Sequence, residues 1–380
     1  MVGKRVESVI YSYHFPRYSR PSSSGRRPLI TVAVILAALY LFHTHLRREG
    51  IFKKRDEWRR VASGWEGEVF VYDDDDDESV AIKSFFTKRS PLRNCLPSGG
   101  GGSGGVERIP TEIPATVLLG GLTADVGGGG GIHEETDFMP VNDFFFDRTS
   151  SNWYLLTPFL PAGNLKDVAK QHLRPRGLTT RELDERFRPS LNRLLDALDR
   201  IHGRFGLCHD DIKPANIFVA GGDEKEKNDF THWILADFGN VRQVEHPYHK
   251  TLIWTRDSRQ LEDCRLNDAV RLVKTYITFL RLSSSSLSSF DDGFWDGKES
   301  WSRLYWSAVR DPLVGNTAAN MLREKSLSLP PASTDTTSAG KMGFTRGDTE
   351  EELNRGMWVS EDRAKAFAAT SLLGVPRSRC

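Results

Sequence analysis

Residues 208–218 read CHDDIKPANIF, and the interpretation of the whole chain starts from this stretch. Two acids follow a histidine, and Asp211, Lys213 and Asn216 lie within six positions of one another. The preceding segment, 183–206, has apolar residues at the spacing of an amphipathic helix, and the NIFV that follows is typical of a short strand. A polar loop between two buried elements favours a chemical site over a solvated surface loop.

The three polar side chains of this loop each have a chemical use. Asp211 can orient a hydroxyl group and accept its proton, and Lys213 can neutralise a phosphoryl group in transfer. Asn216 offers an amide oxygen to a hard cation such as Mg²⁺. The loop therefore predicts a site that handles a proton, a phosphate and a metal ion together.

A pair of glycines precedes this loop in the chain. The stretch VASGWEGEVFVY, 61–72, places Gly64 and Gly67 before a run that is typical of a strand. Glycines allow backbone N–H groups to approach phosphate oxygens, because no Cβ atom is in the way. Taken alone, the pattern also fits an ordinary hairpin turn.

Two predicted strands end in charged residues. VAIK, 80–83, ends in Lys83, whose half-buried ammonium group needs a phosphate or a carboxylate as its partner. Many strands end in lysine, so this stretch alone is weak. ILADFGN, 234–240, ends a strand at Asp237, and a carboxylate there suits a nucleotide-bound Mg²⁺.

Together and in this order, the four stretches resemble the signature set of the eukaryotic protein kinase-like superfamily. That set is a glycine-rich loop, V-A-I-K, an H-x-D-x-K-x-x-N loop and D-F-G. The resemblance covers residues 58–325. It implies an α+β fold of two lobes, with a small β-rich lobe that carries one helix and a mainly helical large lobe.

The resemblance also implies ATP and Mg²⁺ as the bound groups, and it assigns a role to each matching residue. Gly64 and Gly67 would cover the phosphates, Lys83 would hold the α- and β-phosphates, and Lys213 would bind the γ-phosphate. Asp211 would be the catalytic base, and Asn216 and Asp237 would hold Mg²⁺. Val69, Ala81 and Phe218 would enclose the adenine.

The stretch YLLTPFLPAGNL, 154–165, matches the hinge between the two lobes as a strand, a linker and a short helix. Thr157 would be the gatekeeper. The carbonyl of Pro158 and the N–H of Leu160 would bind the adenine edge. Proline is compatible with the first position, because that position needs no N–H group.

The expected carboxylate partner of Lys83 is Glu112, in IPTEIPATVLL, 109–119. Pro114 follows two residues later, and proline is tolerated only in the first turn of a helix. We therefore expect this helix to start near Thr111.

Several positions depart from the kinase pattern. Ala62 stands where the first glycine of the loop is expected, and no A-P-E motif follows D-F-G. Asp210 stands where kinases that are switched by phosphorylation carry arginine. Asp268 could match the buried acid at the start of the central helix of the large lobe. The nucleotide end of the site therefore matches the pattern better than the substrate end does.

The function implied is phosphorylation of serine or threonine in a protein substrate that the sequence does not identify. Lys213 favours serine and threonine over tyrosine, again by family resemblance. The first alternative is a nucleotide-binding pseudokinase that acts as a membrane-tethered scaffold. The second is a small-molecule phosphotransferase of the same fold, in which a lysine at this loop position is unusual.

The composition of the chain excludes some classes of function. A net charge of +1 over 380 residues gives no electrostatic case for binding nucleic acid beyond ATP itself. Four cysteines lie far apart, at 95, 208, 264 and 380, and form no C-x-x-C pair, so reduced thiols are expected. No Asn-x-Ser/Thr acceptor is present, which argues weakly against a lumenal domain.

The N-terminal part predicts a single-pass membrane protein. Residues 1–28 are basic and are expected to be disordered, and the apolar run that begins at Leu29 predicts a transmembrane anchor over 29–46. The basic cluster after the anchor is the larger one, which favours a cytosolic position for residues 58–380. Mitochondrial membranes and endomembranes both fit this pattern.

Low-complexity segments interrupt the globular region and follow it. The acidic run at 73–78 lies between two strand-like runs and predicts a hairpin turn. Glycine runs near 98–105 and at 127–131 are typical of flexible linkers. Residues 326–380 are expected to form a low-complexity tail, with a helical stretch near 348–372.

Overall fold

The computed structural model describes residues 50–51, 53–64, 66–73, 79–86, 109–122, 136–221, 229–329 and 347–357. The segments predicted to be a basic leader, 1–28, and a membrane anchor, 29–46, lie outside these ranges, as do both glycine runs. Within the described ranges, no helix combines the length and the apolar character that crossing a lipid bilayer requires.

A five-stranded antiparallel sheet forms the N-terminal part of the fold. Its strands are Arg59–Ser63 (β1), Gly67–Asp73 (β2), Ser79–Phe85 (β3), Asp143–Asp147 (β4) and Asn152–Pro158 (β5). They are ordered β1-β2-β3-β5-β4 across the sheet. Because β2 and β3 are consecutive and antiparallel, the hairpin predicted around the acidic run is confirmed, although the turn itself, 74–78, is outside the described residues.

Strand β3 shows why this part of the chain forms a sheet. Val80 and Ile82 are buried against one face, whereas Ala81 and Lys83 are partly exposed on the other face. This alternation is the two-residue period of a strand, and β-branched side chains such as valine and isoleucine favour it. The face that carries Lys83 lines the cleft described below.

One helix, Glu112–Gly120 (α1), accompanies the sheet. It begins directly after Thr111, so the predicted start is confirmed, and Pro114 lies in its first turn, where its missing N–H group is tolerated. Ile113 is buried against Phe85 of β3. The position of this helix brings its first residue, Glu112, towards the end of β3.

The C-terminal part of the fold is mostly helical. Its helices are Leu165–Asp167 (α2), Thr180–Arg204 (α3), Cys264–Ser283 (α4), Leu287–Asp296 (α5), Ser300–Arg310 (α6), Ala318–Ser328 (α7) and Thr349–Asn354 (α8). A π-helical turn, Val168–Leu173, continues α2. Helix α3 is the one predicted from apolar spacing, and Thr179 with Glu182 forms a capping box at its start. The apolar faces of α3 and α4 meet in the largest core cluster.

Two small antiparallel strand pairs lie between α3 and α4 in the chain. Leu207–Cys208 (β6) pairs with Arg242–Gln243 (β9), and Ile217–Ala220 (β7) pairs with His232–Leu235 (β8). The polar loop 209–216 therefore runs between β6 and β7, and the D-F-G turn at 237–239 runs between β8 and β9. This pairing places both loops side by side.

A disulfide joins Cys208 at the end of β6 to Cys264 at the start of α4. The expectation of reduced thiols is therefore wrong for these two residues. They are 56 positions apart in sequence, and only the packing of β6 against α4 brings their sulfur atoms together. The two cysteines and Trp254 form a fully buried cluster.

The segment 347–357 packs against the helical part. Leu353 is buried in the main core, and the Lys274 ammonium donates hydrogen bonds to the carbonyl oxygens of Glu352 and Arg355, at 3.2 and 2.7 Å. Within the described residues the fold is thus of the α+β class, with an antiparallel sheet followed by a mainly helical C-terminal part.

Candidate active site

Lys83, on the cleft face of β3, lies between two carboxylates. Its ammonium group donates a short hydrogen bond to Glu112 Oε2 at the start of α1. It also lies 3.3 Å from Asp237 Oδ1, which follows β8. The partner that the sequence assigned to Lys83 is therefore in contact with it, and a second acid from a distant part of the chain joins the pair.

The charges around Lys83 set its protonation. Burial alone would lower the pKa of Lys83, but the carboxylates of Asp237, Glu112 and Glu66 outweigh burial and raise the pKa above its ordinary value. For Glu112, burial raises the pKa, the Lys83 charge opposes this, and the nearby Asp237 and Glu66 charges add to it. Lys83 therefore carries a positive charge, and three carboxyl groups lie close to it.

Asp237 is held in an unusual backbone conformation. Its φ angle is +59°, in the left-handed region that few non-glycine residues occupy. Burial would raise the pKa of its carboxyl group, but the charges of Lys83, Lys213 and His209 lower it below its ordinary value. Its side chain remains 37% exposed, so an oxygen of this ionised carboxylate is accessible from the cleft.

The predicted catalytic loop forms one connected group around Asp211. The Lys213 ammonium donates to Asp211 Oδ2 at 2.9 Å. The Asn216 side-chain amide donates to the carbonyl oxygen of Asp211 at 2.9 Å and to its Oδ2 at 3.1 Å. Asn240, which directly follows D-F-G, donates to the same Oδ2 at 3.2 Å. The two loops are therefore joined through the Asp211 carboxylate.

The carboxylate of Asp268 in α4 holds this loop in place. It is fully buried, and its carboxylate accepts hydrogen bonds from the backbone N–H groups of His209 and Asp210, at 2.6 and 3.0 Å. The same carboxylate lies 3.2 Å from His202 Nε2. The His209 ring lies 3.1 Å from the carbonyl oxygen of Ala236, just before Asp237. These contacts fix the loop against both α4 and the end of β8.

Asp210 makes a second buried contact, with the segment after D-F-G. Its Oδ2 accepts hydrogen bonds from Arg242 at 2.8 Å and from His249 Nε2 at 2.9 Å. Burial would raise the pKa of Asp210, but the His249 hydrogen bond and the Arg242 charge hold it below its ordinary value. Arg271 of α4 donates to the carbonyl oxygen of Asp210. Hydrogen bonds from Arg242 and His249 to the Asp210 carboxylate therefore hold this segment against the loop.

The glycine-containing loop closes over the other side of the cleft. The N–H of Gly64 donates to the carbonyl oxygen of Gly67 at 2.9 Å. A Cβ atom at Gly67 would lie 2.0 Å from the carbonyl oxygen of Ser84, so only glycine fits where β2 meets β3. No such close approach occurs at Gly64. Gly67 is thus required by sheet packing.

The residues assigned to the adenine lie on two different elements, the antiparallel sheet and β7. Val69 pairs directly with Lys83 and Ala81 lies two residues from Lys83, so all three share one face of the sheet. Phe218 of β7 packs against a cluster that includes Leu160.

The hinge residues lie where β5 leaves the sheet. Thr157 and Pro158 pair with Ala81 and Val80 of β3, and Pro158 is the last residue of β5. Leu160 follows in the connection to α2 and is nearly buried.

The structure thus brings Lys83, Glu112 and Asp237 into direct contact. It brings Asp211, Lys213 and Asn216 into a second connected group. The residues assigned to the adenine are placed by their strands and by the connection after β5, and within the described residues no side-chain hydrogen bond joins them to either group.

Sequence reasoning missed several residues of this cleft. Glu66 and Asn240 lie next to recognised glycines, at positions where the kinase pattern accepts any residue. Arg242, His249 and Arg271 converge on Asp210, which had been noted only as a departure from the pattern. An acid at that position was a usable signal, because a buried carboxylate needs a basic partner.

No protein-family model matches this chain, and no curated protein matches it significantly. The case for its function therefore rests on the residues and geometry of the cleft.

Proposed function

We propose that this chain is an ATP- and Mg²⁺-dependent protein serine/threonine kinase. The observation that carries the proposal is the position of Lys83 between Glu112 and Asp237. These carboxylates are 29 and 154 residues away in sequence, and the lysine and the two acids belong to three of the stretches that the resemblance named in advance. Such a lysine is positioned to bind phosphate oxygens while Glu112 and Asp237 hold its ammonium group in place.

The layout of the elements supports a two-lobed kinase-like fold. The antiparallel sheet with α1 corresponds to a small lobe, and α2–α8 with the two short strand pairs correspond to a large lobe. The connection between β5 and α2 then serves as the hinge. The proposed nucleotide would lie between Val69 and Ala81 on one side and Phe218 on the other.

The donor atoms of the cleft fit a magnesium nucleotide. Mg²⁺ prefers oxygen ligands, and Asp237 offers a partly exposed, ionised carboxylate. The side-chain nitrogen of Asn216 is directed towards Asp211, which leaves its amide oxygen for a cation. Bound Mg²⁺-ATP would supply the phosphoryl group and neutralise the charge that develops on it.

The chemistry assigned to the protein is positioning and charge stabilisation. Asp211 would orient the substrate hydroxyl group and accept its proton at a carboxylate oxygen, while Asn216 and Asn240 hold that carboxylate in place. Lys213, 2.9 Å from Asp211, would neutralise the transferring group. Lys83 would hold the phosphates further from the reacting oxygen.

The contacts of Asp210 indicate how the substrate side would be ordered. Kinases that are switched by phosphorylation use an arginine at this position to bind a phosphate. In this chain the loop carries an acid at this position, and the following segment carries the basic residues. Asp210 binds Arg242 and His249. We expect activity without phosphorylation of Thr251 or Thr255, since a phosphate near Asp210 would be repelled.

Phosphoryl transfer to a generic protein substrate tests the proposal, with the purified full-length chain in detergent. Asp211→Asn should lower the rate by about a hundredfold or more and should leave Mg²⁺-ATP affinity within about threefold, because Asp211 acts on the hydroxyl group. Asp237→Asn should weaken Mg²⁺-ATP binding instead.

The same measurements distinguish the alternative. Mg²⁺-ATP binding without any transfer, in wild type and Asp211→Asn alike, would identify a pseudokinase that acts as a membrane-tethered scaffold. If calorimetry detects no nucleotide binding with or without Mg²⁺, both functions are excluded.

Membrane attachment is part of the proposal and rests on residues 29–46 alone. A C-terminally tagged full-length chain should sediment with membranes and should resist extraction by carbonate. Recovery of the tag in the soluble fraction would remove the anchor from the proposal without affecting the site.

A further inference from the structure

Glu66, in the glycine-containing loop, directs its carboxylate into the cleft. Its backbone carbonyl accepts a hydrogen bond from the N–H of Phe86 at 2.9 Å, which ties the loop to the end of β3. A Cβ atom at Gly239 would lie 2.7 Å from Glu66 Oε2 and 3.5 Å from Glu112 Oε2. The carboxylate therefore extends from the loop to the D-F-G turn.

This position adds a negative charge where the cleft is already acidic. The residues named at the cleft include four carboxylates, Glu66, Glu112, Asp211 and Asp237, and two ammonium groups, Lys83 and Lys213. The Glu66 charge acts on both members of the central ion pair, because it contributes to the raised pKa of Lys83 and to that of Glu112.

Glu68, two residues after Glu66, has its carboxylate in a different environment. Glu68 belongs to β2, and its carboxylate binds Arg60 of β1 at 2.9 Å. Because side chains alternate along a strand, Glu68 lies on the face opposite to Val69 and therefore away from the cleft. Two acids two residues apart thus face different environments, and only one is close to the proposed phosphate site.

The consequence for a ligand follows from the sign of the charge. A nucleoside triphosphate without metal carries about four negative charges, and a carboxylate a few ångströms from them in a partly buried site weakens binding by about tenfold or more. A divalent cation on the phosphates removes most of this repulsion and is itself attracted to the acidic cleft. Glu66 would therefore discriminate between the two forms of the ligand.

We propose that Glu66 is a specificity-determining residue that disfavours metal-free nucleoside triphosphate and makes binding depend on a divalent cation. The inference rests on the proposed function, since it concerns the same cleft. It adds the prediction that Glu66, in the glycine-containing loop, makes the site select metal-bound over metal-free nucleoside triphosphate.

The test compares ATP affinity with Mg²⁺ and with EDTA, using the full-length chain in detergent. The measured quantity is the ratio of the Kd in EDTA to the Kd in Mg²⁺. In Glu66→Gln the Kd for metal-free ATP should fall about tenfold while the Kd for Mg²⁺-ATP changes by less than about threefold, so that the ratio shrinks about tenfold.

Two further variants make the result specific to Glu66. Glu68→Gln removes the same charge from the same strand region and should keep the wild-type ratio. Glu66→Asp keeps the charge, and its ratio should stay nearer to that of wild type than to that of Glu66→Gln. A thermal melt of each variant verifies that it is folded.

Three outcomes would overturn the inference. An unchanged ratio in Glu66→Gln would show that the carboxylate does not discriminate. A loss of Mg²⁺-ATP affinity of more than about tenfold, with metal-free affinity unchanged, would identify Glu66 as a metal ligand instead. If the wild-type chain binds ATP under neither condition, the proposed function fails first, and this inference fails with it.

Discussion

The two sides of the cleft are built on different principles. On the helical side, the loop 208–216 is held by buried charges with defined partners, namely Asp268 beneath it and Asp210 bound to Arg242 and His249. On the sheet side, β1 is exposed along its whole length, and Lys83 is partly open to solvent although its partner Glu112 is buried.

Because of this difference, we expect the two sides to contribute differently to protein stability and to ligand binding. A buried carboxylate with several donors is costly to disturb, because its partners are left without compensation. A charge at the edge of a cleft costs little stability when it is changed, but it acts strongly on a charged ligand. We therefore expect substitutions on the helical side to affect unfolding and those on the sheet side to affect binding.

The largest effect on stability is expected for Asp268→Ala. Its removal leaves the N–H groups of His209 and Asp210 buried without an acceptor, and each such group costs about 1–3 kcal/mol. We expect the free energy of unfolding to fall by about 3–5 kcal/mol in urea titration. Asp196→Ala, whose exposed carboxylate lies 3.8 Å from Arg200, is the control and should cost under about 1 kcal/mol. Equal losses would contradict the comparison.

Removal of the disulfide should have the next largest effect. The bond closes a loop between residues 56 positions apart, for which chain entropy predicts about 4 kcal/mol, and disulfides typically contribute about 2–4 kcal/mol in practice. Unfolding of the wild-type chain should therefore occur at lower urea concentration in a dithiol reductant. The Cys208→Ser, Cys264→Ser double variant should resemble the reduced protein and should not respond to reductant. If wild type also fails to respond, the bond makes no contribution.

Arg242→Met should cost about 2–3 kcal/mol, because Asp210 is left buried with His249 as its main donor. Asp210→Asn should also destabilise the protein. The double variant should cost less than the sum of the two single changes, since the coupled pair is removed as a unit. Additive losses in the same urea titrations would mean that the two side chains contribute independently.

The smallest effect is expected on the sheet side, for the exposed ion pair of Arg60 and Glu68. Its atoms lie 2.9 Å apart, but the Arg60 side chain is 64% exposed, so solvent screens the attraction. Glu68→Gln should change the free energy of unfolding by less than about 0.5 kcal/mol. A loss comparable with that of Arg242→Met would remove the distinction between the two sides.

Much of this cleft could be predicted from the sequence because its motifs are local. The resemblance named Glu112 as the partner of Lys83, and Pro114 placed the start of its helix near Thr111. The order of β3, the loop 209–216 and the D-F-G turn then indicated which polar groups should meet. In each case a short stretch carried both the element and its functional side chain.

The remaining contacts depend on which distant surfaces pack together. Arg242 and His249 contact Asp210 because β9 pairs with β6, and Cys208 meets Cys264 because β6 packs against α4. Neither contact has a signal at fixed spacing. The direction of Glu66 was also inaccessible, because a loop residue beside a glycine can point to either face until the sheet register is known.

The bond between Cys208 and Cys264 bears on the compartment in which the domain folds. Cytosolic glutathione and thioredoxin keep thiols reduced, whereas disulfides persist in oxidising compartments. The basic residues after the proposed anchor predict a cytosolic domain, and the disulfide argues for the opposite side. The oxidation state of this cysteine pair, in protein isolated from cells with thiols alkylated, therefore reports whether the domain folded in a reducing or an oxidising compartment, and thereby tests the cytosolic placement that the basic residues predict.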